Sequence, residues 1–130
     1  MEGSKKVLLV DDDKFLIDMY TIKFKTANFE ITPAFSGEEA LEKLRGGFSP
    51  DLVLLDMIMP GMSGLELLEA IHKDHLAGSA ALVVLSNQGQ KSDVEEAKKI
   101  GVDGYIVKAN TIPSEVLEQV LEIIKRKRGN

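Results

Sequence analysis

Asp51-Leu-Val-Leu-Leu-Asp56-Met-Ile-Met-Pro60-Gly-Met-Ser-Gly64 is the stretch whose reading decides the fold. Leu52 to Leu55 are four consecutive apolar residues, the length and composition of a strand buried on both faces, and Pro60, Gly61 and Gly64 close the run with turn residues. Asp56 is left at the tip. In an open α/β sheet, ligands bind outside the carboxyl ends of the strands, so an acid there is placed for chemistry if other polar residues join it.

Other runs have the same form. Val7 to Val10 is followed by Asp11, Asp12 and Asp13, and Ala81 to Leu85 by Ser86; the run Tyr105 to Val107 is followed by Lys108. Phe29 to Phe35 is a weaker strand, because Pro33 cannot donate to a ladder and so belongs at a sheet edge. Between the runs lie helical patterns. The first has Phe15, Leu16, Met19 and Ile22 on one face with Ile17, Tyr20 and Phe24 adjoining, an apolar stripe wide enough to cover a sheet. Ser36 with Glu39, Ser63 with Glu66 and Ser92 with Glu95 fit capping boxes, and Pro113 suits the first position of a last helix. Five strand-then-helix units predict an α/β fold with one doubly wound parallel sheet and helices on both faces.

Residues 1–130 are read as a single domain. The chain has no cysteine, a net charge of −5, and 44% hydrophobic against 28% charged residues. Disulfide and thiolate chemistry are excluded, and the acidic balance argues against direct nucleic-acid binding, which rests on neutralising phosphates. No apolar run reaches the roughly 18 residues of a membrane span, and the start, Met-Glu-Gly-Ser-Lys-Lys, has no apolar signal core. A cytoplasmic protein without membrane attachment is expected.

If the first strand is central with the third beside it, Asp11, Asp12 and Asp56 converge on one sheet edge with Ser86 and Lys108. Like charges that close resist ionising together, so a positive partner is needed. Mg²⁺ with oxygen ligands is the natural one, since it takes one or two carboxylates plus phosphate oxygens. The Lys108 ammonium suits a phosphoryl oxygen and the Ser86 hydroxyl can donate to another. Carboxylates form aspartyl-phosphates, and Asp56, alone on its strand, is assigned as the acceptor while the adjacent pair holds metal.

Val10-Asp11-Asp12, Leu55-Asp56 with Met59-Pro60-Gly61 and Gly64, Leu85-Ser86, and Tyr105 with Lys108 together resemble the response-regulator receiver domain, the CheY-like phosphoacceptor of two-component signalling. The resemblance covers essentially the whole chain. It implies strand order 2-1-3-4-5, Mg²⁺ held by Asp11, Asp12, Asp56 and the Ile58 backbone carbonyl, and phosphorylation of Asp56 by a sensor histidine kinase or phosphotransfer protein. It further implies that Ser86 turns toward the phosphoryl group, that Tyr105 swings inward behind it, and that Lys108 contacts a phosphate oxygen. The expected chemistry is self-phosphorylation and autodephosphorylation only, controlling an unknown downstream partner or output domain, in a monomer or weak dimer. Ala109 stands where the family commonly has proline, and Asn87 where it has Ala or Gly; Ile58 and Gln88 flank the site where the family varies.

The residues also bear on two alternatives. Asp11-Asp12-Asp13 superficially offers the Asp-x-Asp signature of a haloacid-dehalogenase-type phosphatase, but Phe15 sits where that family carries Thr or Val and no paired acids follow Lys108. A degenerate receiver serving only as a docking module would lack chemical positions that are all filled here. His72 and His75 are read as polar residues late in a helix, and Lys125-Arg126-Lys127-Arg128 as a solvated helix end complementing the dipole.

Overall fold

In the computed structural model, residues 4–86, 91–108 and 112–128 are described. Five strands alternate with five helices: β1 (Lys5–Val10), α1 (Lys14–Lys25), β2 (Phe29–Ala34), α2 (Gly37–Arg45), β3 (Leu52–Leu55), α3 (Gly64–Lys73), β4 (Ala81–Ser86), α4 (Lys91–Ile100), β5 (Gly104–Val107) and α5 (Pro113–Arg128). The strands form one parallel sheet in the order β2-β1-β3-β4-β5. β2 lies at the edge, as Pro33 requires.

Alternation along each strand divides the core between the two faces of the sheet. Leu8, Val10, Val53, Leu55, Leu82 and Val84 pack with residues of α2, α3 and α4. Val7, Leu9, Leu52, Leu54, Val83 and Leu85 pack with residues of α1 and α5. β3 is buried along its whole length, which is why it reads as an unbroken apolar run.

The caps form unevenly. At α3 the box is complete: Glu66 N–H donates to Ser63 Oγ at 3.2 Å and Ser63 N–H to Glu66 Oε1 at 2.9 Å. At α2, Ser36 Oγ accepts from Glu39 N–H, but the Glu39 carboxylate reaches one residue further back and accepts from Phe35 N–H. α4 is helical from Lys91, so Ser92 lies inside the helix; its side chain, with Asn87, Gln88 and Ala109, falls outside the described residues. Pro113 does open α5, and Glu115 accepts from Ile112 N–H. Ser63→Ala is expected to cost about 1 kcal/mol, the usual value of a lost N-cap, seen as a lower urea midpoint at unchanged slope.

Three expectations are corrected by tertiary packing. The α1 face of Phe15, Met19 and Ile22 is turned to solvent, with Phe15 87% and Ile22 71% exposed, while Ile17, Tyr20 and Phe24 meet the sheet. His72 is tied down: its Nε2 lies 2.7 Å from the Gly101 carbonyl at the α4–β5 turn, and His75 lies beyond the end of α3 with φ of 52°. Lys127 is also more than a solvated helix end, since its ammonium is 3.1 Å from both oxygens of Asp103. Among the described residues no helix is long and apolar enough to cross a membrane.

Candidate functional site

Register brings the polar strand ends together. Val10 pairs with Leu55, so Asp11 and Asp56 leave neighbouring strands side by side; Ser86 pairs with Val107, so Ser86 lies beside the start of Lys108. Asp11, Asp12 and Asp56 each offer a carboxylate oxygen within 4.8 Å of the others. With Ile58, Ser86 and Lys108 they line a cleft of ≈ 790 Å³.

The three acids have different surroundings. Asp11 is 3% exposed and bonded through both oxygens: Oδ1 accepts from Asp13 N–H at 3.0 Å, and Oδ2 meets the Lys108 ammonium at 3.0 Å. Asp12 is exposed. Asp13, to which the sequence reading assigned no local role, is the N-cap of α1 and accepts from the N–H groups of Phe15 and Leu16. The signal was present, because an Asp directly before a helical pattern is a preferred cap.

Asp56 is 8% exposed. Its Oδ1 accepts from Met57 N–H at 2.9 Å, and Lys108 Nζ stands 3.9 Å from Oδ2. Burial pushes its carboxyl up from 3.8 to about 6; Lys108 opposes the rise, the Asp11 charge adds to it, and the N–H groups of Met57 and Ile58 oppose it again. Repulsion among the acids, the cause inferred from the sequence, is thus a smaller contribution than desolvation. Asp11 is already compensated by Lys108, which sequence order could not reveal across 97 positions.

The donor set fits a hard divalent cation. All three side chains offer carboxylate oxygens, and exposed Asp12 leaves room for the waters that Mg²⁺ retains. Ser86 is buried at the same edge. Tyr105 is half-buried in β5 opposite Val84 and packed against the α2–α3–α4 side of the core.

The sequence profile described as the response regulator receiver domain matches residues 7–122. The chemotaxis protein CheY of Thermotoga maritima is 36% identical over 122 residues, covering 93% of this chain and 98% of CheY. The phosphate regulon transcriptional regulatory protein PhoB of Pseudomonas aeruginosa is 28% identical over 94% of this chain, which spans about half of that regulator's length, 52%. The crystal structure of a CheY-like response regulator receiver domain protein from Methanospirillum hungatei superposes with a TM-score of 0.87 at 28% identity, covering 98% of each chain. The strand order, the acid-lined sheet edge and the profile match over nearly the whole length agree, and the chain belongs to the response regulator receiver domain family of two-component signalling.

Proposed function

We propose that residues 1–130 act as one cytoplasmic receiver domain in which Asp56 takes a phosphoryl group from a sensor histidine kinase or phosphotransfer protein. An Asp56 carboxylate oxygen bonds to phosphorus while the phosphorus–nitrogen bond of the phosphohistidine breaks, its electron pair returning to the imidazole. The observation that carries the assignment is the division of labour between the two buried acids. Asp11 has both oxygens engaged by Asp13 N–H and Lys108, whereas Asp56 Oδ2 faces Lys108 at 3.9 Å, beyond hydrogen-bond reach. The same contrast disfavours a haloacid-dehalogenase mechanism, which needs the first-strand acid as nucleophile.

In this reading Asp11, Asp12, Asp56 and the Ile58 carbonyl would hold Mg²⁺, which when bound would supply positive charge toward the phosphoryl group. Lys108 and Ser86 bind phosphoryl oxygens, and Tyr105 transmits the change to a downstream protein or output domain. Phe15 both lines the cleft and begins the exposed apolar row with Met19 and Ile22, a surface that suits a protein donor reaching Asp56.

An acyl phosphate with Mg²⁺ is expected to add one base-labile phosphoryl group to the wild type and none to Asp56→Asn, read by intact mass. Omitting Mg²⁺ should slow labelling by roughly a hundredfold or more, the scale of one lost electrostatic contact in a transition state. Undiminished labelling of Asp56→Asn would exclude Asp56 as acceptor. Hydrolysis of a generic phosphomonoester would favour the phosphatase alternative.

A further inference from the structure

Lys14 is an odd choice for its position. It is the first residue of α1, whose first turn contains no acid, so its charge opposes the positive end of the helix dipole. Its ammonium rests 5.7 Å above the centre of the Phe35 ring, and the same residue lines the acid cleft. Phe35 directly follows β2 and Lys108 directly follows β5, while the acids follow β1 and β3. The sheet order therefore sets two lysines on opposite flanks of the acids. Lys108 is committed inward, 3.0 Å from Asp11; Lys14 is exposed at the other flank, and among the described residues no carboxylate lies within ion-pair distance of it.

We infer that Lys14 binds the leaving end of small anionic phosphodonors at the cleft mouth, favouring donors whose leaving group departs as an anion. The inference rests on Asp56 as acceptor. When an acyl phosphate reacts, an Asp56 oxygen bonds to phosphorus, the bond from phosphorus to the acyl oxygen breaks, and the electron pair leaves as a carboxylate. A cation at the mouth meets that growing negative charge. With phosphoramidate the phosphorus–nitrogen bond breaks, and the nitrogen takes a proton and leaves as ammonia, so the same cation has no anion to meet. The Phe35 ring holds the ammonium near the mouth without neutralising it, because a ring face attracts a cation through its quadrupole.

The test measures labelling rates of the full chain with acetyl phosphate and with phosphoramidate, for wild type, Lys14→Ala, Lys14→Glu and Lys14→Arg. With acetyl phosphate, Lys14→Ala should be about threefold slower and Lys14→Glu about tenfold slower, the range of a partly screened charge at a cleft. Lys14→Arg should keep the wild-type rate, since it retains both charge and ring contact. Phosphoramidate rates should be unchanged or slightly higher in all variants. Raising salt from ~0.1 to ~1 M, which shortens the screening length from about 10 to about 3 Å, should erase the acetyl phosphate differences. Equal slowing with both donors, differences that persist in high salt, or a wild-type rate in Lys14→Glu would each overturn the inference. Asp56→Asn labelled by acetyl phosphate as fast as the wild type would instead refute Asp56 as acceptor, the reading on which the inference rests.

Discussion

Asp56→Asn is expected to raise the stability of the metal-free fold at neutral pH by about 2 kcal/mol while abolishing phosphoryl acceptance. The folded carboxyl titrates at about 6 instead of its usual 3.8. Once ionised it opposes folding by up to about 3 kcal/mol, at 1.36 kcal/mol per unit. Asparagine removes that cost, which is already net of the attraction to Lys108, and keeps an oxygen to accept from Met57 N–H, but its amide N–H groups need partners in a buried site, which lowers the gain. The sign in pH follows. Between about 4 and about 6 the folded state binds more protons at Asp56 than the unfolded chain, so this group's contribution falls as pH rises through that window. Denaturant titrations across the window should show that fall in the wild type and its loss in Asp56→Asn. Mg²⁺ should stabilise the wild type at neutral pH and leave Asp56→Asn nearly unaffected. A variant less stable than the wild type at neutral pH, or one with the same pH slope, would show that Asp56 carries no such penalty.

Gly64→Ala is expected to destabilise the protein by about 3 kcal/mol and to slow labelling of Asp56, because the obstruction is backbone. A Cβ on Gly64 would overlap the Asp56 carbonyl oxygen and approach the Met57 Cα to 2.7 Å. Gly64 N–H also donates to the Met57 carbonyl at 2.8 Å, so α3 starts pressed against the strand end that carries the acceptor. Relief requires moving the loop that aims Asp56. Gly104→Ala is the control. Its Cβ would overlap Ile123 Cδ1, the end of a flexible side chain, and rotation of that side chain should hold the cost to about 1 kcal/mol. Thermal melts of the two variants beside their labelling rates check both expectations. Equal losses of stability would show that the Gly64 contact relaxes as readily as the Gly104 one.

Much of the architecture was legible along the chain because it depends on near neighbours. A strand buried on both faces has to be apolar throughout, so Leu52 to Leu55 could be read directly, and Pro33 marked an edge because it has no N–H to offer. The helix starts at Ser36, Ser63 and Pro113 were legible for the same reason: capping is a contact across three residues. That Asp11, Asp12, Asp56, Ser86 and Lys108 all leave strands on one edge followed from parallel strands, but their meeting there also needed β1 beside β3, an order that the family resemblance implied.

What the sequence left undetermined depends on contacts between distant positions. Helix α1 is apolar on two adjoining faces, and periodicity gives no reason to bury one before the other. Packing against the sheet and α5 selected Ile17, Tyr20 and Phe24 and left Phe15, Met19 and Ile22 outside. His72 meeting Gly101, Lys127 meeting Asp103 and Lys14 meeting Phe35 each join residues from different elements. The electrostatics of the site belong with these. The sequence determined that three carboxylates would gather at one edge, but only the tertiary structure decided that Lys108 would neutralise Asp11 and that burial would be the larger cost at Asp56, because solvent exclusion depends on every element packed around a group.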